Sequence, residues 1–232
     1  MRPKYHIPFL FFTSLILILI LETSHAANLQ LAVHIEDQKG QPLPDAVVIV
    51  KSHNAESDSW LPGAEAEIDQ RDKQFIPHVL AITPGTLVNF PNSDDTRHHV
   101  YSFSKIQPFE LKLYRANDSS PIKFDQTGII KLGCNIHDSM KAYIYVSKEP
   151  FISVSDENGQ ASIYFPEDLK LQNLIIWHPQ LNQQKPLRFE ISQLNFGAPN
   201  FLTLPITWEP PQEPKTKSEL ESLLKSFSNE VE

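Results

Sequence analysis

Cysteine is almost missing from this 232-residue chain: Cys134 is the only one. One thiol cannot form an internal disulfide, and in an exported protein an odd cysteine asks for another explanation, a metal thiolate or a buried inert side chain. Methionine is as scarce, with Met1 and Met140 alone. Glycine is sparse too, seven against nineteen prolines, and no glycine-rich loop is present that could cradle a phosphate. Basic runs are absent and the net charge is −8, so nucleic-acid binding has no electrostatic support. Such a surface favours a basic protein partner and salt-sensitive encounters. No Gly-x-Ser-x-Gly element and no paired-carboxylate pattern occurs, which argues against an enzyme.

Long apolar runs are also few, with one exception at the start. Arg2 and Lys4 precede a nearly unbroken apolar stretch over 7–21, and Ser24-His25-Ala26 supplies small residues for cleavage. Fifteen residues fall short of the ~20 a spanning helix needs. The pattern predicts a signal peptide over 1–26, cleaved near Ala26, with export to the periplasm and no stable membrane span afterwards. Removing it takes two of the 20 basic and one of the 28 acidic side chains, leaving a net charge of −9.

What remains has the texture of an all-β protein. Short runs of Val, Ile, Tyr and Phe are punctuated by turn residues. Leu29, Leu31, Val33 and Ile35 alternate with polar neighbours, as on a strand with one buried face. Ala46-Val47-Val48-Ile49-Val50 is apolar enough to be buried on both faces. Asp37-Gln38-Lys39-Gly40 and Asp156-Glu157-Asn158-Gly159 read as turns. After Trp208, Glu209-Pro210-Pro211-Gln212-Glu213-Pro214 reads as an extended linker, and Ser218 with Glu221 opens a capping box for a short terminal helix.

Both soft-sulfur residues of the mature chain fall inside Cys134-Asn135-Ile136-His137-Asp138-Ser139-Met140. A thiolate, two imidazoles and a thioether are the ligand set of a type 1 copper centre, and soft sulfur selects copper over magnesium, calcium or manganese. His137 would supply one imidazole. The other falls to His98 or His99, which strand alternation sends to opposite faces. Taken singly, Cys134 and Met140 could equally be core residues and His137 a loop histidine. Asn92 and Asp94 read as turn formers, and His34, His53, His78 and His178 as structural or solvent-facing.

The pattern Gly85-x-x-Val88-x-Phe90-x-Asn92-x-Asp94, then His98-x-Val100, then Cys134-x-x-His137-x-x-Met140, resembles the cupredoxins of the plastocyanin and amicyanin group. The two-residue spacing on both sides of His137 is most similar to amicyanin. Chains with this pattern and flanking segments are often labelled methylamine utilization proteins. The resemblance implies a Greek-key β-sandwich over 57–148 holding one type 1 copper ion through His98, Cys134, His137 and an axial Met140. It selects His98 over His99. His99 stands where plastocyanins commonly have Asn, a departure that changes the surroundings of the ligands.

The opening hairpin and the segments after Phe151 resemble carboxypeptidase-regulatory-like sandwiches. They imply a second, discontinuous β-sandwich over 27–56 plus 149–209, followed by a linker and short helix over 210–232. The implied function is one-electron transfer between a redox protein donor and acceptor through Cu(II)/Cu(I). The alternative is a periplasmic copper carrier or partner-binding adaptor that does not cycle electrons. Multicopper oxidases and copper nitrite reductases use further histidine-rich sites, and this chain has a single ligand loop and no His-x-His pair.

Overall fold

The computed structural model describes residues 28–54, 64–114, 120–181, 185–197 and 201–207. The expected leader over 1–26 and the linker and helix over 210–232 lie outside the described residues. Among the described residues the chain is all-β, apart from one 3₁₀ turn at Ile191–Gln193. No described helix is long and apolar enough to cross a membrane.

In chain order, β1 (Asn28–Asp37) and β2 (Val47–Ser52) are followed by three short strands: β3 (Glu65–Glu67), β4 (Asp69–Arg71) and β5 (Gln74–Ile76). Then come β6 (Val79–Ile82), β7 (Thr86–Asn89), β8 (His98–Ser102), β9 (Phe109–Tyr114) and β10 (Ile122–Phe124). The long pair β11 (Gly128–Cys134) and β12 (Lys141–Val146) flank the ligand loop. Last are β13 (Phe151–Val154), β14 (Gln160–Pro166), β15 (Leu171–Trp177), β16 (Leu187–Glu190) and β17 (Phe201–Ile206).

These strands make four stacked layers. The sheet β14-β1-β17 faces the sheet β13-β2-β15-β16 across a core that includes Leu31, Val33, Ile35, Val48, Leu174 and Ile163. The sheet β6-β12-β11-β8-β9 faces β10-β7-β3 and the β4-β5 hairpin across a second core, with Phe90, Val100, Phe124, Ile130 and Ile144. A third cluster lies between the two sandwiches: Val47, Ile49, Val79, Ile175 and Trp177, with Tyr143 and Tyr145 against them. The rings of Tyr143 and Tyr145 each lie 5.6 Å from Trp177.

Periodicity accounts for this stacking. In β1, Leu31, Val33 and Ile35 are buried and Ala32 and His34 half-buried, the alternation of a sheet with one core-facing side. In β2 the period disappears, because Val48 and Val50 enter the first core and Val47 and Ile49 the inter-sandwich cluster. A strand covered on both faces has no use for polar alternation. The two aspartate turns form as their sequences predict. Asp37 Oδ1 accepts from the N–H of Lys39 and Gln41, and Asp156 Oδ1 from Asn158 and Gln160. Gly159, at φ 71°, packs so closely on the Ile35 carbonyl that a Cβ would collide with it.

Strand β9 forms the edge of the five-stranded sheet. Phe109 and Leu111 are half-buried and alternate with exposed Glu110 and Lys112, as an edge strand with one wetted face allows.

Candidate metal centre

The site is assembled by strand register. Cys134 pairs with Val100 across β11 and β8, and Gly133 with Tyr101. Cys134 and Val100 both face the core, so His98, two residues before Val100, points to that same face at the strand's end. His98 is fully buried at 0% exposure, and Cys134 is 3% exposed. The burial of β8 alternates through His98, Val100 and Ser102, while His99 and Tyr101 lie half-buried on the other side. The Tyr101 ring lies over Gly133, where a Cβ would come within 2.8 Å of it. The residue before the thiol is therefore glycine for a packing reason.

The ligand loop is closed by its own backbone. The Met140 N–H donates to the His137 carbonyl at 2.9 Å, turning the chain at Asp138-Ser139. The Cys134 N–H donates to the Met140 carbonyl at 3.3 Å. Together these bring His137 back over the strand end and seat Met140, 1% exposed, in the same core as Cys134. The rest of the loop is in solvent: Asn135, Ile136, Asp138 and Ser139 are exposed. His137 is half-buried between the two environments.

Three donor atoms converge. Cys134 Sγ lies 3.8 Å from His98 Nδ1 and 3.9 Å from His137 Nδ1, and the three donors lie within 4.8 Å of one another. The two imidazole centroids are 5.0 Å apart. A first-row metal bound at about 2.0–2.1 Å from nitrogen and about 2.3 Å from sulfur separates sulfur from nitrogen by roughly 3.5–3.8 Å at angles between tetrahedral and trigonal. The two sulfur–nitrogen distances lie close to that span.

The other nitrogen of His98 is fixed. Its Nε2 lies 2.7 Å from Asp94 Oδ2, within hydrogen-bond reach, and its Nδ1 faces the sulfur. The same carboxylate accepts from two backbone groups in the β4-β5 turn: Asp72 N–H at 2.6 Å on Oδ1 and Lys73 N–H at 2.9 Å on Oδ2. Burial pushes the Asp94 carboxyl up, but the hydrogen bonds from Lys73, His98 and Asp72 outweigh it. The group is held below the usual carboxylate range. His99, by contrast, faces away from the thiol. Its Nε2 is 2.9 Å from Glu110 Oε1, out of hydrogen-bond alignment, and its ring meets Tyr101 edge-on at 5.9 Å.

Behind the aspartate stands a buried polar network. Gln70, 0% exposed, donates through Nε2 to the carbonyls of Phe90 and Pro91 and to the Tyr114 hydroxyl, the last at 2.6 Å. The Asn92 amide donates to the carbonyls of Thr96 and Tyr114, and its Oδ1 accepts the Asp94 N–H. Asn92 and Asp94 do shape a turn, as their residue types predict, but each also ties that turn to a distant segment. Gln70 carried no signal in the sequence, because what marks it is burial among carbonyls brought from other strands.

No protein-family model matches this chain, and no curated protein does. Several solved structures are similar to part of it. The purple cupredoxin of Nitrosopumilus maritimus is 24% identical over 35% of this chain and 99% of that chain, with a TM-score of 0.33. A reduced Cu(I) form of an amicyanin variant at pH 4 is 17% identical over 43% of this chain and 98% of that one, with a TM-score of 0.33. A copper-containing nitrite reductase from Thermus scotoductus SA-01 is 26% identical over 42% of this chain, with a TM-score of 0.34. The match spans 25% of that reductase chain.

Proposed function

We propose that this chain is an exported type 1 copper protein that carries single electrons between a redox donor and an acceptor protein. The observation behind this reading is the convergence of Cys134 Sγ with the Nδ1 atoms of His98 and His137 at 3.8 and 3.9 Å. His98, Cys134, His137 and Met140 would hold the ion. Bound there, copper supplies a Cu(II)/Cu(I) couple.

The chain's own residues serve that couple in three ways. Asp94 keeps the Nδ1 lone pair of His98 directed at the thiol. The buried strand ends hold His98 and Cys134 in fixed positions, so a change of charge costs little rearrangement. The half-buried His137, with Ile136 beside it at 46% exposure, offers a path from the buried sulfur to a partner's surface. We assign residues 57–148 to the copper-binding sandwich, inserted into a second sandwich made of 27–56 and 149–209, and place the mature protein in the periplasm. The role is that of a carrier, not of an enzyme.

The test is an optical and electron-spin-resonance spectrum of the copper-reconstituted mature protein. The oxidised form is expected to show an intense blue thiolate-to-copper band, and Cys134→Ser to abolish it. A colourless protein at full copper occupancy would overturn the type 1 assignment. Copper hand-over without a reversible reduction potential would favour a carrier of copper over a carrier of electrons.

A further inference from the structure

We propose that Asp94 is a positioning residue that selects the tautomer of His98, and that the β4-β5 hairpin clamps it for that task. The proposal rests on His98 being a copper ligand, as read above. The hairpin has a two-residue turn, Asp72-Lys73, between the paired Arg71 and Gln74. Both turn residues are left-handed, with φ of 53° and 57°. That is the turn whose twist suits a tight hairpin. In this conformation consecutive backbone N–H groups form a concave pair of donors, and such a pair takes an anion. Here the anion is the Asp94 carboxylate, reached from 21 and 22 residues away in the chain.

The polarity of the arrangement is what makes it selective. A carboxylate only accepts: Oδ1 takes the Asp72 N–H, and Oδ2 takes the Lys73 N–H while still presenting an acceptor to His98. The imidazole must answer with an N–H, and it does so at Nε2, 2.7 Å away. A neutral ring carries one N–H, so Nδ1 is left bare towards Cys134 Sγ. A carboxamide of the same shape cannot keep all three bonds. Turned one way it sets its NH₂ against the Asp72 N–H and loses that side of the clamp. Turned the other way it offers a donor to Nε2, which moves the ring proton to Nδ1, the wrong nitrogen. The hairpin thus acts on the metal site without touching the metal, and Asp69 ties it further to the same loop by accepting the Ser93 N–H at 3.2 Å.

The experiment is ¹⁵N NMR of the histidine rings in metal-free protein, at a pH where they are neutral, together with cobalt(II) titration. The native chain is expected to show His98 as the Nε2–H tautomer. Asp94→Asn should shift it towards Nδ1–H and weaken cobalt(II) binding by about 10–100-fold, the usual cost of losing a partner behind a metal ligand. Asp94→Glu, which keeps an acceptor on both sides, should retain the Nε2–H tautomer even if its fold is loosened. An Asp94→Asn protein that keeps the Nε2–H tautomer and binds cobalt(II) within twofold of native would overturn the proposal. A native protein that binds neither copper nor cobalt(II) at this site would overturn the copper reading instead, with the tautomer result standing on its own.

Discussion

Two buried histidines in this molecule have similar burial and different partners. His98 is 0% exposed and His178 is 6% exposed, and each gives its Nε2 proton to a fixed oxygen. For His98 the oxygen is the Asp94 carboxylate at 2.7 Å, and for His178 it is the Pro44 carbonyl at 3.1 Å. The difference lies at the other nitrogen. His178 Nδ1 accepts the Gln180 N–H at 3.2 Å, so its lone pair is already engaged within its own turn. Among the described residues His98 Nδ1 meets no backbone donor and looks instead at a thiol and a second imidazole. Burial and a hydrogen bond at Nε2 therefore do not separate the two rings. What separates them is the company that Nδ1 keeps.

The strongest way to break the comparison is to truncate both rings. His98→Ala should cost more than about 100-fold in copper affinity, since changes behind a ligand already cost 10–100-fold, and should remove the blue band. His178→Ala should leave the band and affinity intact and cost about 1–3 kcal/mol of stability from lost packing and stranded polar groups, read by urea unfolding. A blue-band loss in both variants would mean that His178 shapes the copper site after all. A smaller effect is expected behind His98. Gln70→Leu keeps the volume but strips three hydrogen bonds from the Phe90, Pro91 and Tyr114 oxygens. It should destabilise the metal-free protein by on the order of 2 kcal/mol.

The smallest expected effect is a pH dependence confined to His178. Burial lowers its pKa from 6.5, against the Pro44 bond and Asp45, and His78 lowers it further. The unfolded chain therefore takes up this proton near pH 6.5 while the folded chain waits for lower pH. Stability should be full above that pH and decline as pH falls from 6.5 towards the folded value. In metal-free protein, His178→Gln should flatten this limb of the stability curve relative to native. An unchanged limb would show that other groups set it.

How much of this could be read from the sequence follows from the distance over which each feature is written. Cys134 and His137 sit within four residues of each other, and strand alternation sends His98 and His99 to opposite faces. The choice of His98 came from the resemblance, so the His98, Cys134 and His137 group was legible only in part from spacing. The apolar run of β2 announced burial on both faces, though only the fold supplies the second cover, the Tyr143, Tyr145 and Trp177 cluster. Asp94 looked like an ordinary turn residue because its partners, Asp72 and Lys73, belong to a hairpin more than twenty positions upstream. Strand β9 was hidden by its own solvent face, where Glu110 and Lys112 dilute the signal of Phe109 and Leu111.

The first described strand carries a consequence for how the protein comes into being. β1 pairs with β14 on one edge and with β17 on the other, so Ala32 finds its neighbours at Ser162 and Phe201. Chain emerges during synthesis at roughly 5–20 residues per second, so β1 waits many seconds for its second neighbour. Until then its row of Leu31, Val33 and Ile35 has no finished core to enter. Closing so large a loop before any contact rewards it makes folding slow. Everything that surrounds the thiol, from β4 to β12, is synthesised inside that waiting interval, so the residues around Cys134 can be in place while the sheet built on β1 is still open.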